Sequence, residues 1–89
     1  MTELDNIRSE IDKIDDELKM LFVKRMELVL RVAEYKNKHG LPVRDSGREI
    51  KKLESLSQQP DYGFTDEITE FFKNIMAVSR NLQQKTIGE

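Results

Sequence analysis

Apolar residues recur along the first part of the chain at steps of three and four: Leu4, Ile7, Ile11, Ile14, Leu18, Leu21, then Leu28, Val32 and Tyr35. This heptad-like alternation predicts a helix with one apolar stripe. No glycine interrupts it before Gly40 and no proline before Pro42. Thr2 followed by Asp5 resembles a capping box, so the helix is expected from about residue 3 to residue 38. Its length is about 54 Å at 1.5 Å per residue, against a mean helix of about 11–12 residues. Gly40 after His39 suits a left-handed C-cap, and Leu41-Pro42-Val43 reads as an extended linker. A second, short helix is expected to start near Asp45 or Ser46, with Ser46 and Glu49 at capping-box spacing and Ile50, Leu53, Leu56 and Ser57 marking its inner side. The stretch SQQPDYG, from Ser57 to Gly63, is a loop by its proline and glycine. Tyr62 and Phe64 are expected to pack. Thr65 is the expected N-cap of a third helix, with Asp66 and Glu67 in its first turn. Ile68, Phe71, Phe72, Ile75, Met76 and Leu82 give its apolar face, and fraying is expected after Gln84. The expected fold class is all-α: three helices, one very long, in a single domain over residues 1–89.

A helix of that length cannot bury its stripe against two shorter helices in one compact globule. A compact chain of 89 residues has a radius of gyration near 12 Å. The far half of the first helix therefore needs another surface. A second copy is the simplest supplier, which predicts an intertwined, domain-swapped two-fold dimer.

Composition narrows the chemistry. The chain is 37% hydrophobic and 36% charged with net charge −2, which points away from nucleic-acid and membrane partners. No run approaches the roughly 20 apolar residues of a membrane span. The acidic, polar start MTELDNIRSE lacks signal-peptide character, so a cytoplasmic location is expected. There is no cysteine and one histidine, which leaves no thiolate chemistry and argues against a histidine-rich metal site.

Polar residues then appear where the periodicity asks for carbon. The stripe of the first helix, continued past Leu21, reaches Arg25 before Leu28. Lys36 lies eleven residues later, about three turns, and returns to nearly the same azimuth. On the third helix the spacing predicts apolar residues at 79, 82 and 83, and the sequence has Ser79, Leu82 and Gln83. A buried charge or unpaired polar group costs several kcal/mol. A structural reading pairs Arg25 with a carboxylate such as Glu49 and satisfies Ser79 and Gln83 by backbone or water. A functional reading takes two inward cations, an amide and a hydroxyl as one polar pocket for a small dianion. The linker adds Asp45, Arg48 and Glu49 at the start of the second helix, where free amides suit hydroxyl or carboxylate groups. Arg8 lies seventeen residues before Arg25, about 25 Å along the helix, so within one chain both cannot reach one small molecule. In an antiparallel dimer, Arg8 of one copy could enter the other's pocket.

In this ordered set the chain resembles the all-helical chorismate mutases: Arg8, Arg25 and Lys36 on a long first helix, the segment Val43-Arg44-Asp45-Ser46-Gly47-Arg48-Glu49, then Ser79 and Gln83. The resemblance implies a domain-swapped homodimer and conversion of chorismate to prephenate, a Claisen rearrangement on the way to phenylalanine and tyrosine, without cofactor or metal. It implies that Arg25 and the Arg8 of a second copy bind carboxylates, while Lys36 and Gln83 donate to the ether oxygen. It assigns Glu49 and the backbone near Asp45 to the ring hydroxyl, and Ser79 and Arg48 to carboxylate binding. Two other readings remain open. One is an isochorismate pyruvate-lyase of the same fold, and the other a non-catalytic dimeric helical binding or regulatory module.

Overall fold

The computed structural model describes residues 2–87. It contains α1 (Glu3–Lys38), α2 (Ser46–Ser57) and α3 (Thr65–Ile87), with no strand among the described residues. The expected helix count, order and first-helix boundaries all hold.

The ends of α1 follow from local chemistry. Thr2 and Asp5 form the reciprocal capping box, with the Asp5 amide donating to Thr2 Oγ1 at 3.1 Å and the Thr2 amide to Asp5 Oδ2 at 3.2 Å. At the other end Gly40 sits at φ +65°, the left-handed region that glycine enters without strain. The Leu41 amide then donates to the Lys36 carbonyl at 2.8 Å and the Gly40 amide to the Asn37 carbonyl at 3.4 Å. That pair of bonds is a Schellman motif, and it turns the chain out of the helix.

The start of α2 falls within expectation, and that of α3 differs from it by one residue. Asp45 is the N-cap of α2, accepting from the Arg48 amide at 3.0 Å, so Ser46 is helical and closes no capping box. Thr65 is the first helical residue of α3, not its cap. Its hydroxyl donates to Asp61, which also accepts from the Gly63 amide at 3.0 Å. Asp61 thus engages the Thr65 hydroxyl, which was expected to accept a first-turn amide of α3. These bonds, the Thr65 hydroxyl first and the Gly63 amide next, hold the Asp61 carboxyl below the usual range. At its far end α3 stays helical to Ile87, past the expected fraying point at Gln84.

Packing within the chain uses a different row of α1 from the predicted stripe. Met26 and Val29 are half-buried and Ala33 is fully buried. Arg25 and Lys36 flank this row, and both bond to α3. The heptad residues Leu4, Ile7, Ile11, Ile14, Leu18, Leu21, Leu28, Val32 and Tyr35 are all exposed. Tyr62 and Phe64 do not pack within the chain as expected; they are 84% and 60% exposed.

The molecule measures 55 × 28 × 14 Å, with a radius of gyration of 16.5 Å. A compact chain of this length would have about 12 Å. Its accessible surface is 7523 Å², where a compact monomer of this mass has about 5,400 Å².

Candidate active site

Four residues are buried among those described: Ala33, Met76, Ser79 and Gln83. Half of this small core is polar, at the two α3 positions where the periodicity asks for carbon. A buried hydroxyl or amide without a partner costs about 1–3 kcal/mol, and here each has one. Ser79 Oγ donates to the Ile75 carbonyl at 2.8 Å and accepts from Arg25 Nη1. Gln83 Oε1 accepts from Lys36 Nζ at 3.1 Å. The same ammonium donates to the Val43 carbonyl at 2.6 Å, which ties the linker to the end of α1.

These contacts have consequences for free valence. An ammonium has three N–H donors, and two of Lys36's are used by Val43 and Gln83. The third remains to donate to a ligand. Gln83 commits its oxygen to Lys36, which leaves its NH₂ as the donating end. Arg25 meets a neutral hydroxyl, and no carboxylate lies at salt-bridge distance from it among the described residues. Burial first, and then the neighbouring Arg48 charge, lower its pKa from the ordinary arginine value. A partly desolvated guanidinium beside a second one, without a counter-ion, is an anion site.

The structural pairing of Arg25 with Glu49 is therefore not what forms. Glu49 is held by Arg80, whose Nη1 donates to Oε1 at 2.6 Å and Oε2 at 2.7 Å. Arg80 comes from α3, immediately after Ser79, and it occupies the carboxylate that Arg25 was expected to use.

All of these groups border one cavity of about 270 Å³ between the helices. Arg25, Lys36, Asp45, Arg48, Glu49, Ser79 and Gln83, seven of the eight residues singled out in the sequence, line it. Arg8 does not; it is exposed on the protruding part of α1. Sequence reasoning missed Arg80 and Lys52, which also line the cavity. Arg80 lies four residues after Met76 and three before Gln83, a spacing that marks the same helix face. Lys52 likewise follows Arg48 by one helical step of four. The lining carries five cations, Arg25, Lys36, Arg48, Lys52 and Arg80, against two carboxylates, Asp45 and Glu49, in a chain whose net charge is −2. Val29, Val32, Val43 and Met76 supply apolar walls. The cavity thus has the size, excess charge and dry walls to hold a small, multiply anionic organic molecule.

The family model for chorismate mutase type II matches residues 7–84. The chain belongs to this family. Among curated relatives, a bifunctional chorismate mutase/prephenate dehydratase from Buchnera aphidicola is 37% identical over 98% of this chain and 23% of its own length. A T-protein from Haemophilus influenzae is 49% identical over 62% of this chain and 15% of its own length. A 4-amino-4-deoxychorismate mutase from Streptomyces venezuelae is 39% identical over 72% of this chain and 63% of its own length. The chain spans between about a seventh and a quarter of the length of the first two. The matched span contains every cavity-lining residue and Arg8. No described helix is long and apolar enough to cross a membrane.

Proposed function

We propose that the chain is a chorismate mutase, converting chorismate to prephenate without a cofactor, in a site completed by Arg8 from a second copy. The observation that carries this reading is the convergence of Arg25, Lys36, Arg48, Glu49, Ser79 and Gln83 on one cavity.

The reaction is a unimolecular rearrangement. The ether C–O bond to the ring breaks while the enolpyruvyl methylene bonds to the ring carbon that bears the carboxylate. No proton, electron or external group is exchanged. The protein has two tasks: to hold the side chain over the ring, and to stabilise the negative charge that grows on the ether oxygen. Arg25 and Arg48 suit the carboxylates, because neither guanidinium is neutralised by a carboxylate of the described chain. Ser79 fixes the Arg25 guanidinium in orientation. The remaining Lys36 N–H and the Gln83 NH₂ are donors held together by their own hydrogen bond, so both can address one oxygen. Glu49 and the α2 N-terminus at Asp45 suit a ring hydroxyl.

Arg8 is the part of the proposal that needs another molecule. The exposed stripe of α1 and the excess surface support an obligate homodimer in which α1 of one copy covers the other.

The deciding experiment gives the purified protein chorismate and isochorismate separately. Loss of chorismate with appearance of prephenate is the expected outcome. Salicylate and pyruvate from isochorismate as the main products would make the protein a lyase. Turnover of neither would leave a binding module.

A further inference from the structure

The Arg80–Glu49 ion pair has no part in the carboxylate clamp described above. It is the one salt bridge among the described residues, made inside a cavity that already has four other cations. Two substrate carboxylates do not need a fifth. The two side chains are 26% and 21% exposed, so the pair is substantially shielded from solvent. Each Glu49 oxygen accepts one hydrogen bond from Arg80. A carboxylate oxygen has two lone-pair sites, so each oxygen can accept another. Arg80 therefore cancels the charge of Glu49 toward the cavity and leaves its acceptor capacity intact.

That combination distinguishes two kinds of donor. A neutral hydroxyl can donate a hydrogen bond to a Glu49 oxygen and asks for no net charge. An ammonium in the same place meets a carboxylate already neutralised, with the Arg80 guanidinium of like sign beside it. Like-charge juxtaposition is a strong device for rejecting a wrong ligand. An allylic amine in place of the ring hydroxyl carries a proton near neutral pH and becomes such an ammonium.

Resting on the reading of the cavity as a chorismate site, we infer that Arg80 is a specificity-determining positioning residue. It holds Glu49 as a charge-neutralised acceptor, which admits chorismate and rejects 4-amino-4-deoxychorismate. Arg80 acts through Glu49 and touches no reacting atom.

The test is the ratio of kcat/KM for chorismate to that for 4-amino-4-deoxychorismate, in the full chain, with folding checked by circular dichroism. Arg80→Leu exposes an unpaired carboxylate and is expected to move the ratio toward the amine by about tenfold or more. Arg80→Lys keeps the charge and should restore most of the discrimination. Glu49→Gln leaves Arg80 uncompensated and should move the ratio the opposite way, further toward chorismate. In the Glu49→Gln background, adding Arg80→Leu should remove that extra preference, because no charge then remains at either position. Should Arg80→Leu fail to fold, Glu49→Gln decides the matter: a ratio moved further toward chorismate supports the inference, and an unchanged or lowered ratio overturns it. A merely structural role lowers both substrates equally, and an unchanged ratio in folded variants overturns the inference. A wild-type protein that prefers the amine also overturns it. A wild-type protein that turns over neither substrate overturns the mutase reading itself, which is a separate result.

Discussion

Arg25 shows what a single residue can reveal. It is a partly buried guanidinium that bonds to a serine hydroxyl where a carboxylate would be the ordinary partner. Holding a cation this way makes sense when an incoming anion completes it. Arg25→Ala is expected to lower kcat/KM for chorismate about 10³-fold, with Arg25→Lys recovering only part, since an ammonium cannot reproduce the fork. Helical content and mass in solution should not change; loss of fold would return Arg25 to a structural role. The pH dependence follows from the same groups. The Arg25 pKa is lowered, so its charge is lost on the alkaline side sooner than for an ordinary arginine. Nothing is lost on the acid side from that group, and Gln83 is neutral throughout. As far as Arg25 and Gln83 decide it, a kcat/KM profile should therefore hold through neutral pH, and activity confined to acid pH would contradict the donor assignment. Arg25, Ser79 and Gln83 were legible in the sequence because each interrupts an apolar periodicity. Arg80 was not, because an arginine at the edge of an apolar face reads as a solvated side chain until its carboxylate partner on another helix is seen.

The helices themselves were largely legible, and the reasons are local. A stretch without glycine or proline and a signal at each end fix α1, and its observed limits are the expected ones. The start of α3 shifted by one residue, where Asp61, four positions earlier, takes the Thr65 hydroxyl, and at α2 Asp45 takes the Arg48 amide. The buried row of α1 was misplaced for another reason. Heptad counting finds the most regular stripe, whereas α3 selects the Met26, Val29 and Ala33 row beside it. Only tertiary contact decides between two adjacent rows on one cylinder. The C-cap of α1 gives a direct test at this scale. Gly40 has φ +65° with open space around its Cα, so alanine there would suffer backbone strain and no clash. Gly40→Ala should cost about 1–2 kcal/mol, read from urea unfolding at fixed protein concentration. The Schellman turn also aims Val43 at Lys36, so a fall in kcat larger than the rise in KM should accompany the loss. A substitution without effect on either would mean that the cap carries no strain.

For the whole molecule, a single chain leaves its longest helix only partly used. The heptad residues of α1 from Leu4 to Leu21 are exposed, and the accessible surface exceeds that of a compact monomer by roughly 2,100 Å². An excess of that size on each of two protomers falls within the range of obligate dimer interfaces. The length of α1 was legible from sequence, and the need for a second surface followed from it. The geometry of that surface was not, since an exposed stripe does not state the angle at which another surface would meet it. The position of Arg8 turns this into a test of the shared site. On the proposed arrangement, with Arg25 of one copy and Arg8 of the other in each site, Arg8→Ala and Arg25→Ala protomers would each form homodimers with both sites damaged. Mixed and allowed to exchange, equal amounts give half heterodimers, and each heterodimer has one site with both arginines intact. Activity should therefore rise to about one quarter of the wild-type value per protomer, from below about 1% for either variant alone. Native mass spectrometry of protomers differing in isotope label would confirm that exchange has occurred. Heterodimers that form without any recovery of activity would show that Arg8 and Arg25 do not serve one site across the interface.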